Sequence, residues 1–226
     1  MSGIEVISGG SIGGWVLDIL TVLWLFLPGY LSNSAAQLWG RAIPRMVGME
    51  PIPIDGGRCL KDGYRILGDG KTWQGLIGGT FAGGVWGVVL HALASGNHDS
   101  GSRPFVDLLA GVDASSWFWL GNEWGAAFII GLILGFGCLF GDSAGSFIKR
   151  RRGLKREGEI SSESLILDTM PFAISTFVFG QLLLTDTLVG SAQVRPAMVM
   201  LLLLTPLIHR GVNKLGYRLK LKDVPY

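Results

Sequence analysis

The sequence predicts an all-α, polytopic integral membrane protein with five transmembrane helices, its N-terminus outside and its C-terminus in the cytoplasm. Three observations predict it. The 226-residue chain is 49% hydrophobic and only 16% charged, where soluble domains carry about 25% charge. Five apolar stretches, roughly 12–30, 73–95, 124–140, 168–190 and 196–212, are long enough to cross a bilayer. The basic residues fall on one side of those stretches.

The charge pattern orients the chain. The segment 31–72 holds Arg41, Arg45, Arg58, Lys61, Arg65 and Lys71. The segment 141–167 holds Lys149, Arg150, Arg151, Arg152, Lys155 and Arg156. The tail holds Arg210, Lys214, Arg218, Lys220 and Lys222. Of the 19 basic residues only Arg103 and Arg195 lie elsewhere. Cationic loops stay in the cytoplasm, so 31–72, 141–167 and the tail are expected there. Residues 1–226 read as a single membrane-embedded domain. Met1 to Gly14 contains no Lys or Arg, so the first apolar stretch reads as a retained helix rather than a signal peptide.

Each span carries its own signals. The first holds Asp18, the second His91 and the fourth Asp186, all towards their outer ends, where water or headgroups can reach them. Asn33, at the cytoplasmic end of the first, can hydrogen-bond a ligand or a neighbouring helix. Gly75, Gly79, Gly83 and Gly87 repeat every four residues along the second span. Such a stripe is expected to pack closely against another helix, or to leave room for a lipid chain. Gly137, Gly141 and Gly145 make a second stripe. Trp117-Phe118-Trp119 in the outer loop suits the interfacial aromatic belt. Cys59 lies in a basic loop and Cys138 in an apolar stretch, so neither a disulfide nor a zinc site is expected.

The chemistry concentrates in two cytoplasmic segments. The third span ends in Gly-Asp-Ser-Ala-Gly-Ser-Phe-Ile-Lys-Arg-Arg-Arg from Gly141. If its helix continues, Asp142, Ser146, Lys149 and Arg150 share one face. A carboxylate, a hydroxyl and two cations suit a polyphosphate with its magnesium. The alternative is a charged anchor that ends the span. The fourth span begins at Leu167-Asp168-Thr169-Met170-Pro171. The first loop carries Pro53-Ile54-Asp55-Gly56-Gly57 and Leu67-Gly68-Asp69-Gly70-Lys71-Thr72-Trp73. The second string ends like a P-loop but fails the motif, because Arg65 stands where its first glycine is required. It reads instead as a turn of exposed amides leading into a helix N-terminus, where anions bind and where Thr72 can cap.

Taken together, these strings resemble the archaeal CDP-archaeol synthase family. The carriers are Pro-Ile-Asp-Gly-Gly-Arg from Pro53, Arg-Ile-Leu-Gly-Asp-Gly-Lys-Thr-Trp from Arg65, and Gly-Asp-Ser-Ala-Gly-Ser-Phe-Ile-Lys-Arg-Arg from Gly141. The family is distantly similar to CDP-diacylglycerol synthases, which commonly have a second Asp where this chain has Pro171. Asp142 can supply that other carboxylate. The resemblance implies Mg²⁺-dependent transfer of a cytidylyl group from CTP to an isoprenoid glycerol-ether lipid phosphate, with release of pyrophosphate. It implies Asp142, Lys149 and Asp168 as catalytic residues and Asp142 and Asp168 as metal ligands. Asn33, Asp55, Asp69, Lys71, Thr72, Ser146 and Arg150 become the substrate-binding candidates. The expected partners are CTP, the lipid phosphate and the bilayer, with no nucleic acid. The competing reading is a transporter or lipid-binding membrane protein. The absence of an internal repeat and the clustering of polar residues at one face weigh against it.

Overall fold

The computed structural model describes residues 11–154 and 165–218. Lys155, Arg156, Lys220 and Lys222 lie outside them. The described residues form six α-helices and no strand. Helix α1 (Ile12–Gln37) passes through a π-turn (Leu38–Ala42) into the short α2 (Ile43–Met46). Then follow α3 (Trp73–Ala94), α4 (Glu123–Arg151), α5 (Leu165–Leu183) and α6 (Arg195–Arg218). Among the described residues, five stretches are long and apolar enough to cross a membrane, with α1 and α2 counting as one rod, Ile12–Met46.

The helix ends follow local chemistry. Ser11, Thr72 and Asn122 start α1, α3 and α4, each accepting the amide three residues on. Helix α4 runs 29 residues and does not stop at Phe140, where hydropathy ends. It stops in a Schellman turn. Gly153 takes a positive φ, its N–H reaches the Arg150 carbonyl at 3.1 Å, and the Leu154 N–H reaches that of Lys149 at 3.0 Å. Helix α5 differs from expectation the other way. It ends at Leu183, and the apolar run to Gly190 folds into a turn. Asp186 therefore lies beyond the helix and is exposed.

Glycine sets the packing. Helix α3 lies against α1 and α4 with no space between backbones. A Cβ added at Gly87 would meet the Ala127 carbonyl oxygen at 2.3 Å, and one at Gly131 would meet that of Gly83 at 2.2 Å. At Gly79 it would strike Ala36, and at Gly83 the Ser32 hydroxyl. The stripe Gly75–Gly87 is therefore a packing seam, and the alternative expectation, that it borders a lipid groove, is overturned. The second stripe joins α4 to α5. A Cβ at Gly141 would meet the Pro171 carbonyl oxygen at 2.1 Å, and one at Gly145 the Leu167 carbonyl oxygen at 3.0 Å. Pro171 has no N–H for the Leu167 carbonyl, and that carbonyl lies against the bare face of Gly145.

Away from the basic residues, the loop between α3 and α4 folds down into the bundle. Val106, Leu108, Leu109, Ala110 and Phe118 are buried there. Phe118 thus belongs to the core rather than to an interfacial belt, while Trp117 is exposed and donates from Nε1 to the Leu183 carbonyl at 2.9 Å. The same loop explains two polar side chains expected to face water. Asp18 is buried against Arg103 at 2.6 Å, and His91 is buried with its Nδ1 2.9 Å from Asp107. Both are structural pairs, formed because a buried charge needs a partner.

Candidate active site

The basic ends of α1, α3, α4 and α5 meet at one end of the bundle. The continuous α4 keeps Asp142, Ser146, Lys149 and Arg150 in phase, as the spacing requires. Ser146 and Lys149 are buried, while their neighbours Ala144, Phe147 and Ile148 are exposed. Lys149 is only 8% exposed, which is rare for lysine unless it is paired. Its Nζ lies 2.6 Å from Asp168 across the α4–α5 seam. Asp142 is paired as well, with Lys71 Nζ from the loop before α3. The structure therefore joins four of the sequence candidates into two cross-element ion pairs. Both pairs draw on one face of α4, where Asp142 and Lys149 stand two turns apart.

Lys71 reaches Asp142 because its backbone is held on both sides. The Ile54 N–H donates to the Lys71 carbonyl at 2.8 Å, and the Trp73 N–H to the Ile52 carbonyl at 3.0 Å. Thr72 is buried and caps α3 through the Gly75 amide at 3.1 Å. Gly40, in the π-turn after α1, fits beneath its hydroxyl, since a Cβ there would lie 2.8 Å from Thr72 Oγ1. The capping reading of Thr72 thus holds.

Asp55 has a different place from the one expected. Both its oxygens are committed inside the first loop. The Arg65 guanidinium donates twice, at 2.6 and 3.2 Å, and the amides of Gly57, Leu67 and Gly68 donate at 3.1, 3.0 and 2.9 Å. Burial opposes its ionisation, but Arg65 and then the three amides outweigh that and hold the carboxyl well below the usual carboxylate range. In turn the Asp55 carboxylate raises Arg65 above its already high value. Asp55 therefore builds the loop from within and has no oxygen left for a ligand. Asp69 is 72% exposed and pairs with Arg65 at 2.7 Å, pointing to solvent. Asn33 is half-buried on α1, and the Cys138 thiol, one turn before Asp142, approaches its backbone. Arg150 lies alongside the Gly68 turn, its Cδ 3.9 Å from where a Gly68 Cβ would stand.

Arg151 was not singled out in the sequence, where it is one of four consecutive basic residues. It straps the loop to α4. Its guanidinium donates to Asp62 at 2.5 Å and to the Tyr64 and Arg65 carbonyls, and it stands over the Phe147 ring with 5.2 Å to the centroid. One sequence signal could have distinguished it. Phe147 and Arg151 are four apart, so a helix continuing through them stacks one on the other.

An apolar groove of ≈ 360 Å³ is lined by residues of α4 and α5. Its lining mixes small residues, among them Gly141, Ala144 and Ser175, with larger apolar ones such as Phe140, Ile166 and Met170. Gly141, Ile148 and Leu167 line the groove, and the residues that follow them in sequence are Asp142, Lys149 and Asp168. The Lys149–Asp168 pair joins the same two helices, α4 and α5.

Comparison with known proteins gives the family. The model of the family described as CarS-like CDP-archaeol synthase matches residues 16–226. CDP-archaeol synthase of Archaeoglobus fulgidus is 35% identical over 210 residues, covering 92% of this chain and 98% of its own. That of Thermococcus kodakarensis is 33% identical over 213 residues, covering 94% and 99%. A solved structure, described as an intramembrane enzyme for archaeal membrane lipids biosynthesis, superimposes with a TM-score of 0.55 at 28% identity, covering 86% of this chain and 94% of its own. With a matching family model over nearly its whole length, relatives of its own size and five spans, the chain belongs to the CDP-archaeol synthase family of membrane-embedded cytidylyltransferases.

Proposed function

We propose that the paired charges at the basic end carry Mg²⁺-dependent cytidylyl transfer from CTP to 2,3-bis-O-geranylgeranyl-sn-glycerol 1-phosphate, facing the cytoplasm. The observation that supports this most is the convergence of Lys71 and Lys149 on Asp142 and Asp168. Both substrates are polyanions, so a site for them must gather cations from separate elements before the two can meet. The cytoplasmic facing rests on the charge split of the loops.

The donor set fits Mg²⁺. Asp142 and Asp168 are hard oxygen donors, and the described residues hold no cluster of three or more His, Cys, Asp or Glu that would enclose a metal. Mg²⁺ ordinarily binds through one or two carboxylates and completes its shell with water and substrate phosphates. When bound, it would supply Lewis-acid stabilisation of charge on the phosphate oxygens. The rest falls to the chain. Lys71 and Lys149 hold the β- and γ-phosphates and neutralise the leaving group. Arg150 and Ser146, on the same face, extend the phosphate cradle. The Asp55 loop holds Lys71 in place, and Asn33 and the exposed Asp69 border the nucleotide entrance.

The bonds exchanged are simple. An oxygen of the lipid phosphate attacks the α-phosphorus of CTP. The bond from that phosphorus to the β-phosphate oxygen breaks, and the electron pair leaves with pyrophosphate. A phosphate monoester has a second pKa of about 6, so the nucleophile is already largely ionised near neutral pH. No general base is needed, in keeping with a chain of three histidines. The acceptor cannot leave the bilayer cheaply, at about 0.8 kcal/mol per buried CH₂. Its chains are proposed to lie along the α4–α5 groove, with the phosphate passing beneath the seam to Lys149.

The test is pyrophosphate release by purified protein in detergent, with CTP, lipid phosphate and Mg²⁺ each omitted in turn. All three should be required. Asp142→Asn and Asp168→Asn should each lower the rate about a hundredfold or more, since several kcal/mol of transition-state stabilisation are lost. Binding of the lipid phosphate without CTP turnover would favour a lipid-binding protein.

A further inference from the structure

We infer that Lys71 and Lys149 occupy the metal seats of the resting site, so that nucleotide and metal must enter together by exchanging partners with them. This rests on the proposed function and extends it to the way the site fills.

The four charged groups form two closed couples. Lys71, from the loop before α3, is on Asp142. Lys149, on α4, is 2.6 Å from Asp168 on α5. The side chains are 21% and 23% exposed in the first couple and 10% and 18% in the second. A charge so placed is costly to leave unpaired. Each carboxylate that would hold a metal is therefore already neutralised. Each ammonium that would hold a phosphate is already bound.

Consider each ligand alone. A dication that takes Asp142 must displace Lys71 and leave an ammonium stranded beside it. A triphosphate that takes Lys71 must leave the Asp142 carboxylate facing phosphate oxygens, like charge against like charge. Arriving together, the two ligands satisfy all four groups, with phosphates on the lysines and the cation on the aspartates. Two ion pairs are exchanged for two others, and no charge in the site is left without a partner. Such coupling is reciprocal, because each ligand must raise the affinity of the other by the same factor.

Calorimetry on purified protein without lipid acceptor, so that no turnover occurs, tests this. CTP is titrated in EDTA and in Mg²⁺, and Mn²⁺ is titrated with and without CTP. Wild type should bind CTP at least tenfold more tightly with Mg²⁺. Because free CTP already binds Mg²⁺ in solution, the variants decide. Asp142→Asn releases Lys71, so metal-free CTP should bind several-fold more tightly than to wild type. Lys71→Met releases Asp142, so Mn²⁺ without nucleotide should also bind more tightly. Lys149→Met should behave like Lys71→Met, and Asp168→Asn like Asp142→Asn, and this second pair serves if the first fails to fold. A natively folded Asp142→Asn that binds metal-free CTP no more tightly than wild type overturns the exchange. Wild type that binds no CTP under any condition overturns the functional reading instead.

Discussion

Replacing Asp55 by alanine should release the first loop without disturbing the helices. The carboxylate receives five hydrogen bonds and is wholly buried. Removing one member of a buried ion pair costs about 3–5 kcal/mol. Here the low end applies, because the Arg65 side chain is 27% exposed and retains Asp69. At about 3 kcal/mol, the loop opens roughly a hundredfold more often. The cost appears as local opening, since the loop lies outside the spans. Hydrogen exchange read by mass spectrometry should then quicken roughly a hundredfold at the Gly57, Leu67 and Gly68 amides and remain unchanged in α4. kcat/KM should fall, because Lys71 is no longer held against Asp142. The pH dependence has a definite sign. A carboxyl depressed in the folded state stabilises fully above its unfolded value, about 4, and loses that stabilisation as pH falls towards the folded value. Loop protection should therefore be flat from pH 5 to 8 and weaken only in stronger acid. Unchanged exchange combined with lost CTP binding would refute the reasoning and make Asp55 a ligand contact.

Three other outcomes are expected. Gly87→Leu should lower the melting temperature in detergent, by the roughly 1–3 kcal/mol of an overpacked seam, and leave the KM for CTP and for lipid equally affected; a selective rise for lipid would restore the groove reading of that stripe. Arg151→Met should raise KM for CTP several-fold and quicken exchange at Tyr64–Leu67, and Arg151→Lys should recover little, because one ammonium cannot span Asp62 and two carbonyls; full recovery by Lys would mean that charge alone matters. A cysteine placed at Arg45 should react with a membrane-impermeant reagent only after the cytoplasmic face is exposed, and labelling from the outer face would reverse the orientation.

The five spans were legible because burial in lipid demands long apolar runs, and the loop charges located their connections. Helix ends were less legible, because hydropathy reports polarity rather than hydrogen bonding. Helix α1 continues to Gln37 and on through its π-turn, and α4 continues to Arg151, because helical backbone tolerates polar side chains beyond the membrane. Helix α5 stops early, because the 184–190 segment turns so tightly that a Cβ at Gly190 would lie 2.1 Å from the Leu184 carbonyl oxygen. In the site, the α4 face followed from spacing alone. The Lys71–Asp142 pair did not, because the two are 71 residues apart and nothing local links them. Nor could Asp55 be told from Asp69. Both are loop aspartates beside glycine, and only the fold buries one and leaves the other in water. Asp18 and His91 were misjudged for a related reason, as their partners come from a loop whose inward course no periodicity reveals.

The unbroken length of α4 has a consequence of its own. At 1.5 Å per residue, Asp142 stands about 28 Å along the helix from Glu123, and Lys149 about 39 Å. The hydrocarbon core of a bilayer is about 30 Å thick. If Glu123 lies at the outer boundary, Asp142 falls at the opposite hydrocarbon edge and Lys149 about 10 Å further out, past the headgroup layer. The helix then acts as a gauge, setting the height at which an acceptor phosphate meets the nucleotide against the thickness of the membrane. In a thicker bilayer the phosphate would ride above Asp142, and in a thinner one below it. The enzyme's output would then depend on the thickness of the membrane for which it supplies lipid.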